Sequence, residues 1–137
     1  KMYNRELYEY ENIHTYDFVD LNSDMFGSLL SKCAFVILPS CSEGMSTSVI
    51  NAIGNGGLIP ILTEGASINA DELTIHIEEL SANSVLKALR ESQTLTTDEL
   101  INRSMKIGEF INNNCMIEDY RHNFEKILRS IINDHDM

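Results

Sequence analysis

The segment of this chain richest in potential chemistry is Pro39-Ser40-Cys41-Ser42-Glu43-Gly44-Met45-Ser46-Thr47. It follows an apolar run and precedes a short helical pattern, so it reads as the turn between a strand and a helix. Open parallel sheets bind ligands beyond the carboxyl ends of their strands, where such turns lie. The amides of Met45, Ser46, Thr47 and Ser48 would sit at the helix opening without intrahelical acceptors. Together with the helix dipole they favour an anion, a diphosphate included. Glu43 cannot serve a phosphate, but its carboxylate can accept hydrogen bonds from sugar hydroxyls. Gly44 is expected to let the backbone turn closely. Taken alone, Glu43 also fits an ordinary surface carboxylate at a helix N-terminus.

Other reactive residue types are placed less suggestively. Cys41 lies in the same turn, yet no histidine or basic residue stands near it in sequence to generate a thiolate. Cys33, Cys41 and Cys115 are an odd number without metal-ligand spacing. Cys33, beside an apolar strand, reads as a small core residue. His14, His76, His122 and His135 are scattered singly, which gives no metal site. Gly54-Asn55-Gly56-Gly57 resembles a phosphate loop in composition only. A phosphate loop leads from strand into helix, whereas this cluster leads out of a helix, so it reads as a helix stop.

The elements that must position the turn follow from periodicity. Tyr3 to Tyr10 reads as a helix tail or lead-in, and Ile13 to Val19 as a short strand. Ser23 caps a helix that carries Met25, Phe26, Leu29 and Leu30 on one face. Ala34 to Leu38 is continuously apolar, as a central parallel strand covered on both faces would be. A short helix with Val49, Ile50, Ala52 and Ile53 follows, then a buried strand over Leu58 to Leu62 and another over Leu73 to Ile77. A helix from Asn83 to Glu91 comes next. Another opens with Thr96 and Glu99 at capping-box spacing and carries Leu100, Ile101, Met105 and Phe110. The last places Tyr120, Phe124, Ile127, Leu128, Ile131 and Ile132 on one stripe. Met25, Met45 and Met105 read as packing residues. This alternation predicts an α/β fold: a Rossmann-like parallel sheet with helices on both faces.

The 137 residues suffice for one core and not for two. A formal charge of -11 opposes binding to nucleic acid, whose phosphates demand clustered Lys and Arg. No apolar run approaches the length of a membrane span. The opening Lys1-Met2-Tyr3-Asn4 is neither an initiator methionine nor a signal peptide, so the chain is expected to be part of a longer protein. Free thiols without a secretion signal point to a reducing compartment, the cytoplasm, with the full-length protein peripheral at the inner membrane face as an option.

Leu38-Pro39-Ser40, Glu43-Gly44, Ser48-Val49-Ile50, Ala52-Ile53, Gly56 and Ile59-Pro60-Ile61 together resemble the signature of the retaining GT-B glycosyltransferases of group 1 (family 4 type). The looser resemblance extends from Asn12 to the closing helix, while the distinctive part runs from Ser40 to Pro60. It implies a partial C-terminal, donor-binding domain, with the upstream part of that domain and the N-terminal acceptor domain lying outside this chain. The ligand implied is a nucleotide sugar. The acceptor, a glycan or lipid-linked oligosaccharide, would be held through the N-terminal domain. No cofactor is implied, and transfer is expected to be metal-independent. The residue matching the family's first glutamate is Glu43, which would bond the transferred sugar. Ser40, Gly44, Met45, Ser46, Thr47 and Ser48 match the turn that holds sugar and phosphate. The family's second glutamate, which bonds ribose, is matched by Asn51, a departure that weakens the donor contact from charge-assisted to neutral. The resemblance implies an enzyme when full-length and an inactive fragment here, because the family's diphosphate-binding Arg and Lys have no counterpart at the turn. The alternative is a degenerate, non-catalytic binding or scaffold module. A sugar-nucleotide epimerase fits less well, lacking the Ser40-to-Gly44 spelling.

Overall fold

The computed structural model describes residues 5–68, 70–115 and 117–135. Three strands, β1 (Phe35–Leu38), β2 (Ile59–Thr63) and β3 (Ile75–Ile77), form a parallel sheet in the order β1-β2-β3. Phe35 pairs with Ile59 and Leu38 with Leu62, and Ile61 pairs with Ile75. The helices are α1 (Asp24–Leu30), α2 (Thr47–Gly56), α3 (Ala82–Ser92), α4 (Thr97–Asn114) and α5 (Ile117–His135). The fold is therefore α/β, a Rossmann-like parallel sheet with helices on both faces.

The alternation along β2 divides the core. Leu62 faces α2 and α4, where it joins Val49, Ile53, Ile107 and Ile111. Ile61 points the other way and meets Ile75, Ile77 and Ala88, the last from α3. Every residue of β2 is buried, as its apolar run requires. Pro60 is tolerated in this central strand by register. The Ile59 amide donates to Ala34 O at 2.9 Å, on the β1 side, so position 60 faces the β3 side, where pairing begins only at Ile61. Gly57 ends α2 in the left-handed conformation at φ 61° and donates to Ile53 O, which bears out the helix stop.

The caps read from sequence also form. Ser23 Oγ accepts the Phe26 amide at 3.2 Å. Thr96 Oγ1 accepts the Glu99 amide while Glu99 Oε2 accepts the Thr96 amide, completing a capping box. These bonds from Thr96 hold the Glu99 carboxyl below the usual carboxylate range. A group with a lowered folded pKa stabilises the native state above its unfolded pKa, and that contribution is lost as pH falls through the folded pKa. Thr96→Ala is expected to cost about 1 kcal/mol at neutral pH. The difference between variant and parent in urea denaturation should shrink on acidification through the carboxylate range. A gap that widens in acid would contradict the assignment.

Several sequence expectations are corrected. Ile13 to Val19 forms no strand; the segment is irregular and Phe18 is 96% exposed. Among the described residues no strand pairs with it. β1, expected to be central, is an edge strand here, with Ile37 exposed. Arg5–Glu9 forms a 3-10 turn, while Tyr3 and Asn4 lie outside the described residues. Cys33 is exposed rather than in the core. Met25, Met45 and Met105 are all exposed rather than packed. On α4 the packing face belongs to Ile107 and Ile111, not to Ile101 and Met105. The stripe of α5 exists as a helix face, but Tyr120, Phe124, Ile127, Leu128, Ile131 and Ile132 all remain exposed. Tyr120 and Phe124 stack along it at 6.0 Å.

Candidate functional site

The turn from β1 into α2 stands at the carboxyl end of the sheet. The first bond of α2 runs from the Ile50 amide to Ser46 O at 3.0 Å, so the amides of Thr47, Ser48 and Val49 have no acceptor within the helix. Ser46 stands at the N-cap without making a side-chain cap. Its buried hydroxyl instead lies 3.0 Å from Ser48 Oγ. The helix end therefore keeps its donors uncapped by its own N-cap residue, and such donors with the dipole behind them attract an anion.

The carboxylate of Glu43 stands on the approach to that end, exposed, accepting a long 3.4 Å bond from Ser40 Oγ. Its backbone is held much more firmly than its side chain. The Glu43 amide donates to Gly65 O at 2.7 Å, and Thr63 Oγ1 donates to Ser40 O. The turn is thus bolted to the loop that leaves β2. Thr47 and Met45 are exposed at the start of α2, and Asn51 is half-buried one turn further on. At four residues' spacing Asn51 lies about 6 Å along the axis from Thr47, on the same side of the helix. The structure gathers Ser40, Glu43, Gly44 and Met45 to Ser48 at one helix end, with Asn51 set back from them.

Comparisons with protein families, curated proteins and solved structures find no match to this chain.

Gly44 does not play the part its type suggests. A Cβ there would meet nothing within 4 Å, and its φ is not in the left-handed region. The glycine that the turn requires is Gly65. A Cβ there would stand 2.6 Å from Cys41 O and 2.7 Å from Ser40 O. Sequence reading missed Gly65 and Thr63, although Thr63-Glu64-Gly65 directly after a buried strand is the available signal. Cys41 is an exposed free thiol in the turn, and burial pushes the Cys115 thiol up. Among the described residues no group of three or more His, Cys, Asp or Glu side chains could hold a metal ion. Among them, too, no helix is long and apolar enough to cross a membrane.

A hollow of about 570 Å³ lies at the carboxyl ends of β2 and β3. Leu62 and Thr63 line it from the sheet, Glu64, Ser67 and Ile68 from the crossover, and Thr74, His76, Ile77 and Glu78 from β3 and its flanks. Ser67 is held at φ 54°, ψ 33°, a left-handed conformation that costs a non-glycine residue about 1 kcal/mol. Glu78 is paired with Lys87 at 2.6 Å, and this carboxylate raises the lysine's pKa.

Proposed function

We propose that this chain is the donor-binding part of a retaining glycosyltransferase of the GT-B kind, acting on a nucleoside-diphosphate sugar. The observation that carries the reading is the uncapped end of α2, with Glu43 on the approach to it. The two groups have opposite preferences, and a nucleotide sugar presents both partners in one molecule. The helix-end amides suit the diphosphate, and the carboxylate suits the hydroxyls of the sugar beyond it. The spelling from Ser40 to Pro60 supports the same reading.

In this reading the sugar–phosphate bond breaks with the diphosphate departing into the amides of α2. Those donors are aimed before the reaction at the place where negative charge develops, so they cost no reorganisation during it. Glu43 would hold the sugar hydroxyls as the ring becomes electron-poor. The acceptor, a glycan or lipid-linked saccharide, would come from a second domain, and further strands would continue the sheet past the open edge of β1. Asn51 would meet the ribose with a neutral hydrogen bond. The protein would work in the cytoplasm, at a membrane face when its acceptor is lipid-linked.

In the full-length protein, Glu43→Gln is expected to lower kcat/KM for sugar transfer about 30- to 150-fold, equivalent to roughly 2–3 kcal/mol for a charge-assisted bond. Circular dichroism and the urea midpoint should stay unchanged, since the backbone amide of residue 43, not its carboxylate, holds the turn. Unaltered kcat/KM in a folded variant would remove Glu43 from the site. The second reading, a binding module without turnover, is favoured by Asn51 standing where a glutamate is expected. Donor binding without any transfer by the full-length protein would select it.

A further inference from the structure

We propose that α5 is a self-association surface, on which a second copy of this chain lays its own α5 antiparallel. The helix spans Ile117–His135, and every side chain described on it is exposed. Helices owe most of their stability in water to a covered apolar face rather than to propensity. Here that face is Tyr120, Phe124, Ile127, Leu128, Ile131 and Ile132, with Tyr120 68% exposed. Together they leave on the order of 600 Å² of apolar side chain open, the upper end of what a monomeric chain carries in one patch. Two such faces laid together would cover on the order of 1,200 Å², the lower bound for a specific, stable pair.

The width of the stripe does not name a partner, but the order of its residues does. Tyr120, Phe124, Ile127 and Ile131 recur at intervals of four, three and four, the seam of a two-helix coiled coil. The two rings occupy the first half of the seam and the two isoleucines the second. An antiparallel copy reverses that order, so Tyr120 meets the partner's Ile131 and Phe124 meets the partner's Ile127. Both contacts recur across the two-fold axis, as an isologous dimer requires. Every layer then holds one ring and one isoleucine, which keeps the helices evenly spaced and the seam close-packed. A parallel copy would set ring on ring and isoleucine on isoleucine, splaying the helices at one end. It would also align the two helix dipoles, which the antiparallel pair opposes.

The flanks of the seam agree. On one side Arg121 falls against the partner's Leu128, where its aliphatic stem lies along the apolar side chain. On the other Asn123 faces the partner's Ser130, both small and uncharged. Neither pair brings like charges together. The formal charge of -11 opposes self-association in general. From Tyr120 to Ile132, however, Arg121, Lys126 and Arg129 stand against Glu125 alone, so the copies meet where the excess of negative charge is absent. A lipid surface suits the stripe less well. Glu125 stands two turns before Ile132 on the same side of the helix, an edge where interfacial helices carry Lys and Arg.

The test is analytical ultracentrifugation of the chain from about 1 to 500 µM, where a dimer with a Kd on the order of 10 µM is expected. The dimer should tighten as salt screens the charge of the two copies. Phe124→Ala removes a ring from two layers by symmetry, yet alanine favours a helix more than phenylalanine does. It should weaken the dimer at least about 30-fold. The urea midpoint of the monomer should stay unchanged, since Phe124 is exposed outside the core. Orientation is read with a nitroxide on Glu118→Cys, in a chain whose Cys33, Cys41 and Cys115 are replaced by serine, mixed with the ¹⁵N-labelled parent. Antiparallel pairing should broaden the parent's amides around Ile132 most and those around Tyr120 least. No nucleotide or sugar enters the measurement, so the outcome stands apart from the reading of the turn at Glu43. A chain that stays monomeric throughout, a dimer that Phe124→Ala leaves intact, or broadening centred on Tyr120 would each overturn the proposal. So would a monomeric chain that sediments with phosphatidylcholine–phosphatidylglycerol vesicles, which would give the stripe to a lipid surface.

Discussion

Replacing Gly65 by alanine is expected to cost about 3–4 kcal/mol and to free the turn that carries Glu43. The added methyl would stand 2.6 Å from Cys41 O, 2.7 Å from Cys41 C and 2.7 Å from Ser40 O. All three are backbone atoms, so no side chain can rotate to make room, and one loop must move away from the other. Forcing a methyl into such a space typically costs about 1–3 kcal/mol. The separation also breaks the bonds from the Glu43 amide to Gly65 O and from Thr63 Oγ1 to Ser40 O. Each contributes about 1 kcal/mol. A domain of this kind has only about 5–15 kcal/mol in total, so the loss is a large share. Gly44→Ala is the matched control. Its methyl meets nothing within 4 Å, and the substitution should be neutral or stabilise slightly by restricting the unfolded chain. Urea denaturation of the two variants side by side decides the matter. Equal midpoints would mean that the two loops are not bolted together as described.

That contrast shows where sequence reading of the turn succeeds and where it stops. Glu43, Ser40 and the start of α2 were legible because a strand stop, a polar turn and a helical period follow one another locally. Gly65 was not, because its role depends on two loops separated by more than twenty residues meeting backbone to backbone. Periodicity reports what a segment needs, not what supplies it. The buried strand β2 was read correctly because both its neighbours lie in this chain. The equally apolar β1 came out at an edge, because Ile13 to Val19, the other strand expected beside it, forms none.

The same distinction explains the helices. In α5 the spacing of Tyr120, Phe124, Ile127 and Ile131 yields the right helix, yet the stripe remains exposed, since amphipathicity does not name a partner. On α4 two apolar rows compete, one through Ile101 and Met105 and one through Ile107 and Ile111. Spacing alone cannot rank them. The choice is made by α2, which offers Val49 and Ile53 to the second row.

The interior consequence of that choice is a large expected loss on replacing Ile53 by alanine. Ile53 is fully buried and joins α2 to Leu62 of β2 and to Ile107 and Ile111 of α4 in one cluster. Truncation removes three carbons from a site whose walls are a sheet and two helices, none of which can collapse freely into the gap. Transfer and cavity costs together should come to about 3–4 kcal/mol, within the range of 2–5 for such changes. With a urea m-value of roughly 1.5–2 kcal/mol/M, the midpoint should fall by about 2 M. Ile53→Val, which keeps the branched shape, should lose only about 1 kcal/mol. Ile101→Ala is the discriminating control, because sequence spacing gives Ile101 a packing role and the structure leaves it 55% exposed. Its expected cost is within about 0.5 kcal/mol of zero. If Ile101→Ala proved as damaging as Ile53→Ala, α4 would have to pack through its other row, and α2 would lose the support that holds its open end beside Glu43.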